Sequence, residues 1–239
     1  MKRVLMWGGL VVLLIVIALG SVWYSAFGHN SPIVDGQTLA SGVETVKDGF
    51  VSVFLLDVGP GKVALVDAGF DKSGKAILGA LARRGLSPSS VVAIFLTHGH
   101  GDHTAGCKLF PGAQVYAMEK EIPVVGDAAT VSHALKDGDI VDIGDLRVEA
   151  FAVPGHTPGS AAYLARGVLF FGDSAGASKS GKVMKAVSLF SKNSGENVAS
   201  LKALARRLEP RAAGVHMLAF AHTGPLTGFQ PLADFASSM

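Results

Sequence analysis

The sequence predicts a layered α/β sandwich, two β-sheets with helices on their outer faces. Three observations carry that expectation. Strand-like runs come first, then a helix, a strand, many strands, a helix and a last strand, an order that suits sheets covered by helices. The run 91–96 (VVAIFL) is short, wholly apolar and β-rich, as a buried parallel strand is. Directly after it stands Thr97-His98-Gly99-His100-Gly101-Asp102-His103, a polar cluster just past a strand's C-terminal end, where open α/β sheets tend to place their sites.

Length and composition set the frame. The 239 residues suit one large domain or two small ones, and 49% hydrophobic against 17% charged residues supplies a sizeable core. Mean hydropathy is +0.41, and the first segment explains part of it. After Met1-Lys2-Arg3, residues 4–27 are apolar except for Ser21, Trp23, Tyr24 and Ser25. That length spans a bilayer, with Lys2 and Arg3 on the cytoplasmic side and Trp23 and Tyr24 at the far interface. Residues 1–28 are therefore expected to form a membrane anchor or signal segment ahead of a domain at 29–239. An uncleaved transmembrane helix is favoured over a signal peptide cut near Ala18-Leu19-Gly20, because the apolar run continues past that site. Both readings put the domain outside the cytoplasmic membrane, on the periplasmic or extracellular side.

The formal net charge of +2 matches Lys2 and Arg3 alone, so the remainder is neutral and offers no broad basic surface for nucleic acid. Cys107 is the only cysteine, which excludes an intramolecular disulfide.

Beyond a polar link at 29–32, the chain holds no second linker and no repeat. Residues 49–58 and 62–66 read as strands joined at Gly59-Pro60-Gly61. Residues 75–84 carry Ile77, Leu78 and Leu81 on one helical face, and Gly85 is a stop. A helix is expected from Thr104 to Leu109 and a strand over 113–118. Residues 140–152 alternate around Gly144-Asp145, a hairpin whose second strand runs into Pro154-Gly155-His156-Thr157-Pro158-Gly159. Strands follow at 160–164 and 168–171, the latter ending at Gly172-Asp173. The stretch 174–192 is irregular, with Lys179, Lys182, Lys185 and Lys192; it reads as a solvated face or as a lid attracting an anionic substrate. Asn193 to Glu196 resembles a capping box ahead of a helix lined by Val198, Leu201, Leu204 and Leu208, and a last strand over 215–221 delivers His222.

The chemistry concentrates in a few side chains. Three of the eight histidines and one carboxylate fall within His98 to His103, a donor set that suits zinc, iron or manganese. Gly99 and Gly101 are expected to let the backbone fold tightly so that alternate side chains converge. Taken singly, His156 can stabilise its turn, Asp173 can cap, and His222 can sit in the core. Each nonetheless follows a strand end, and loops at one rim can converge on one site.

With these residues in place, the sequence resembles the metallo-β-lactamase superfamily from about Gly42 to Gly224. His98-x-His100-x-Asp102-His103 matches its signature, Pro154 to Gly159 looks like the second motif of the glyoxalase II-like branch, and Gly172-Asp173 and His222 match the later motifs. Asp67, in Val66-Asp67-Ala68-Gly69, resembles an early element that shapes the site without binding metal. The resemblance implies a four-layer αβ/βα sandwich and two divalent metal ions, most simply Zn2+, with Fe or Mn as options. His98, His100 and His156 would hold one ion and Asp102, His103 and His222 the other, with Asp173 bridging. Three imidazoles leave an open position on a tetrahedral zinc, and two dications this close need an anionic bridge.

The expected activity is hydrolysis of an ester, thioester or lactone, a small-molecule substrate, by a metal-bridging hydroxide that Asp102 orients. A β-lactamase or phosphodiesterase on the same site is the alternative, and an iron-dependent oxidoreductase like the persulfide dioxygenases is another. Cys107 stands four residues past the cluster rather than at a ligand position, and Asp173 is present, which argues against an antibiotic-hydrolysing role. No glutathione-binding helical domain of the glyoxalase II kind is expected in the short stretch after His222. His29 and His133 read as solvated, His216 as packed within the last strand or lying behind the ligands, and Cys107 as a small buried residue.

Overall fold

The computed structural model describes residues 28–238 together with 16, 17, 20 and 21. The chain divides into Met1–Asn30 and Ser31–Met239. The expected membrane segment lies outside the described residues apart from those four. Among the described residues no helix is long and apolar enough to cross a membrane.

The first sheet of the larger unit runs in sequence order through β1 (Thr38–Ala40), β2 (Val43–Asp48), β3 (Val51–Gly59), β4 (Lys62–Val66), β5 (Val91–Phe95), β6 (Gln114–Met118) and β7 (His133–Leu135). The first four strands pair antiparallel and the rest join parallel. Three helices lie between its parallel strands: α1 (Lys75–Arg83), α2 (Gly101–Thr104) and α3 (Ile122–Val125). The second sheet is built from β8 (Ile140–Ile143), β9 (Leu146–Ala152), β10 (Ala161–Ala165) and β11 (Val168–Phe170). A small hairpin of β12 (Ala175–Ala177) and β13 (Val183–Lys185) follows, then α4 (Ser194–Leu208). β14 (Met217–Ala219) and β15 (Leu226–Thr227) complete the second sheet in the order β15-β14-β11-β10-β9-β8, and α5 (Gln230–Ser237) ends the fold.

Three buried clusters show the layering. Phe54, Leu56, Phe95, Val148, Tyr163 and Phe170 fill the space between the sheets. Val53, Leu55, Ile94, Ile77 and Leu81 pack the outer face of the first sheet under α1. Phe151, Leu169, Leu201, Leu208 and Leu232 pack the outer face of the second under α4 and α5. β3 shows the cause: successive residues face opposite sides, and both sides are buried, so the strand reads as one apolar run. The expected four-layer sandwich is the observed fold.

Several local expectations change. The helix expected over Thr104 to Leu109 starts earlier and stops at Thr104, with a single 3-10 turn at Cys107–Leu109. Bonds to the rim of β4 divert its backbone: Ala68 N donates to His103 O, and Ala105 N and Gly106 N donate to Gly69 O and Ala68 O. β2 escaped the sequence reading because Val43 and Val46 point to opposite faces and leave no alternation. The last strand is shorter than expected, so His216 is exposed ahead of it rather than packed within it. His133 is solvated as expected but lies in β7, stacked on Tyr116 with ring centroids 4.6 Å apart. The lysine-rich stretch is not irregular throughout: it contains the β12–β13 hairpin, tied to the body where Ala177 N donates to Thr223 Oγ1 at 2.8 Å.

Candidate metal centre

All seven expected residues meet at one rim of the sandwich, in two groups. His98, His100 and His156 form one, and Asp102, His103, Asp173 and His222 the other; within each group the ligand atoms lie within 4.8 Å of one another. His98 follows β5, and His100 precedes α2, whose first turn carries Asp102 and last turn His103. Gly99 is required by close approach rather than by an unusual dihedral, since a Cβ there would come within 2.5 Å of Val125 N. Gly101 faces open space and has no such constraint.

Hydrogen bonds aim the rings. Thr97 Oγ1 donates to Asp67 Oδ2 at 2.8 Å and thus accepts from His98 Nδ1 at 3.2 Å. Ser191 Oγ donates to Val187 O at 2.9 Å and accepts from His156 Nδ1 at 3.3 Å. These networks put the protons of His98 and His156 on Nδ1 and turn both Nε2 lone pairs inward. The two Nε2 atoms stand 3.2 Å apart, and His156 Nε2 is 3.1 Å from His100 Nδ1. Facing lone pairs at that distance repel unless a cation lies among them. In the second group His103 Nδ1 donates to Asp67 Oδ2 at 2.7 Å, and His222 Nδ1 donates to Phe50 O at 3.0 Å. Again each Nε2 points inward, the outer-shell arrangement that orients metal-binding histidines.

Asp173 stands between the groups. Its Oδ2 lies 3.5 Å from His156 Nε2 and 3.9 Å from His98 Nε2. Its Oδ1 lies 3.2 Å from His103 Nε2 and 3.1 Å from His222 Nε2. Both His103 Nε2 and Asp173 Oδ1 are buried without a hydrogen-bond partner, although they face each other at 3.2 Å. Buried polar atoms are rarely left so without a role. The donor set and its orphaned atoms fit divalent metal ions.

The metal-free electrostatics differ between the groups. Burial pushes His98 well below the usual 6.5, helped by the charge on His103, and burial takes His156 down to about 4. In the second group burial opposes charge, but the carboxylates outweigh it. Asp173 and Asp67 hold His103 well above its usual range, and the facing carboxylates of Asp102 and Asp173 raise His222 to about 10. Burial raises Asp173, yet His103 and His222 hold it well below the carboxylate range; Asp102 is lowered for like reasons.

Two residues behind the site were not foreseen. Glu121 is fully buried; its Oε1 accepts from Gly99 N, and its Oε2 from Thr157 Oγ1 and Gly159 N, each at 2.8 Å. It clamps the loop of His98 and His100 to the loop of His156. Nothing in the run Glu119-Lys120-Glu121 separates it from a solvated charge cluster, so the sequence carried no signal. Asn197, also fully buried, accepts from Ala186 N at 3.1 Å and donates to Ser174 O at 2.9 Å, steadying the chain beside Asp173. Here a signal existed: Asn197 lies four residues before Leu201, on the apolar face of α4.

Comparison with known proteins agrees with the motifs. Residues 46–222 match the family described as the metallo-beta-lactamase superfamily. A hydroxyacylglutathione hydrolase of Serratia proteamaculans is 31% identical over 153 residues, covering 62% of this chain and 57% of that protein. Its counterpart from Gloeobacter violaceus is 35% identical over 153 residues, with the same coverage. The chain thus matches little more than half the length of these relatives. Among solved structures, a B3 metallo-β-lactamase with an active-site glutamic acid aligns with TM-score 0.65 at 22% identity, over 87% of this chain and 88% of that one. A metallo-β-lactamase family protein of Thermus thermophilus aligns with TM-score 0.62 at 23% identity, over 84% and 80%. These structures speak for the fold, while the match over residues 46–222 spans most of the sequence: the chain belongs to the metallo-β-lactamase superfamily.

Proposed function

We propose that this metal-dependent hydrolase binds two divalent ions, most simply zinc, and cleaves an ester, thioester or lactone. The observation that carries the reading is the span of Asp173, with one oxygen facing the imidazole trio and the other facing His103 and His222. His98, His100 and His156 would hold the first ion and Asp102, His103 and His222 the second, with Asp173 placed between them. Bound there, two divalent ions would supply Lewis acidity and activate water as a nucleophile near neutral pH. The protein's own part is orientation. Asp102 Oδ2 faces His222 Nε2 at 3.3 Å and His103 Nε2 at 3.8 Å, which leaves Oδ1 to accept the nucleophile's proton and hold it on the line of attack. Asp67 and the Phe50 carbonyl fix the rings of His103 and His222, so little reorganisation is needed during the reaction. The hydroxyacylglutathione hydrolase relatives support a thioester or similar carbonyl substrate.

Metal analysis with a turnover assay tests this reading. Two zinc ions per chain and hydrolysis of an ester, thioester or lactone are expected. Protein that never exceeds one metal per chain, after loading with zinc and with iron, rules the dinuclear reading out. Residues 4–27 serve as a membrane anchor in the same proposal, supported by Lys2 and Arg3 ahead of the apolar run. A reporter fused after Met239 should be active only outside the cytoplasm, and a reporter active inside would refute the topology.

A further inference from the structure

Each half of the metal centre rests on backbone segments from different strands. Glu121 ties together the two loops that carry the first group. The second group has a buried carboxylate of its own. Asp48, the last residue of β2, is 4% exposed. Its Oδ2 accepts from Phe70 N at 2.9 Å and from Asp71 N at 3.0 Å, in the loop that follows β4. That loop starts at Asp67, whose Oδ2 accepts from His103 Nδ1 at 2.7 Å, and Ala68 N donates to His103 O at 2.7 Å. Two residues after Asp48 stands Phe50, whose carbonyl accepts from His222 Nδ1 at 3.0 Å. One side chain therefore joins the support of His103 to the support of His222. The contact is close. Gly69 has φ +74°, and a Cβ there would come within 2.3 Å of Asp48 Oδ2. Glycine takes that dihedral without strain and leaves the carboxylate room beneath the loop. A carboxylate this buried is costly unless its oxygens accept hydrogen bonds, and here both donors belong to one loop.

We propose that Asp48 is a positioning residue for the second ion: it fixes the rings of His103 and His222 relative to each other. The proposal rests on the two-ion reading and adds a residue that is none of the seven ligands. Both Nε2 atoms converge on Asp173 Oδ1, His103 at 3.2 Å and His222 at 3.1 Å. The two rings are held by segments from different strands, Asp67 after β4 and Phe50 at the start of β3. With Asp48 removed, the loop after β4 can shift against the β2–β3 turn, and the two Nε2 atoms lose their common focus. The first group hangs on Glu121, Thr97 and Ser191 instead, so it is insulated from that shift.

The test uses the full chain and reads zinc affinity by chelator competition. The His156→Ala background reports the second group, and the His222→Ala background reports the first. Asp48→Ala should weaken zinc at the second group about 10–100-fold and leave the first group within about threefold of its starting value. Asp48→Asn keeps an oxygen for both N–H groups but loses the strength that charge adds, so the loss should be about three- to tenfold, again at the second group alone. In protein loaded with cobalt, the ring N–H protons of His103 and His222 should exchange faster with solvent in Asp48→Ala, while those of His98 and His156 keep their rates. Equal weakening of both groups, the mark of a merely structural role, overturns the proposal. So does undiminished affinity at the second group, or a loss in Asp48→Asn as large as in Asp48→Ala. If Asp48→Ala fails to fold, Asp48→Asn decides: loss at the second group alone supports the proposal, and any other result overturns it. Wild-type protein that binds a single zinc removes the two-ion reading and this proposal with it, whereas two ions weakened alike remove this proposal only.

Discussion

His98, His100 and His156 face one another as an all-imidazole trio, whereas Asp102, His103, Asp173 and His222 set two carboxylates against two histidines. The trio is the drier half: His98 and His156 are buried, and their charged forms are suppressed. The quartet is more open, with Asp102 and His222 each 26% exposed, and it holds its own ion pairs when no metal is bound. One group is therefore ready to accept a cation, while the other must first give up protons. The difference also divides the work. In the proposed reading the trio would hold an ion in a nearly dry seat, and the quartet would keep the more open side of the site.

Removing one ligand from each group breaks the comparison most directly. His156→Ala should lose the ion of the trio and His222→Ala that of the quartet, each leaving one metal per chain by elemental analysis. Loss of both ions from either variant would show that the groups act as one site. Asp102→Asn comes next. With metal saturated, turnover should fall at least about a hundredfold, the low end for general-base work. A near wild-type rate would reduce Asp102 to a ligand.

Glu121→Ala sharpens the comparison from behind the trio. It leaves Gly99 N, Gly159 N and the Thr157 hydroxyl without their acceptor, at about 1–3 kcal/mol for each one that stays buried. Metal affinity at the trio should weaken about 10–100-fold, as for other outer-shell losses, with the quartet little changed. Chelator competition on the His222→Ala and His156→Ala backgrounds separates the two affinities.

The smallest effect per step is the pH dependence. His222 keeps its proton up to about pH 10 without metal, so binding at the quartet must displace it near neutrality. Affinity there should fall about tenfold per pH unit as pH is lowered from 9 to 7 for each proton displaced. At the trio His156 is neutral above about pH 4, and His98 titrates well below its usual range, so these two displace no proton over that interval. Calorimetry in buffers of different ionisation enthalpy counts the protons. Equal release at both groups would erase the distinction.

Much of this site was legible in the sequence because a metal centre demands particular side chains at strand ends. His98, His100, Asp102 and His103 announce themselves by spacing, and Asp173 and His222 by following apolar runs. The doubly buried strands β3 to β5 were legible for a similar reason, since burial on both faces writes one continuous apolar run. β2 and β7 were not, because their short, half-polar sequences become strands only by pairing with β3 and β6.

The sequence by itself thus determined the layered fold and the identity of the seven converging side chains. Their division into two groups was already implied by the resemblance, and the tertiary structure added how Asp173 stands between them, with one oxygen turned to each group. It also decided that Glu121 is a buried clamp and that Asp48 joins the support of His103 to that of His222. The physical reason is range. Ligand chemistry and strand burial depend on residue type and local pattern, whereas the partner of a carboxylate or the neighbour of an aromatic ring depends on segments far apart in the chain.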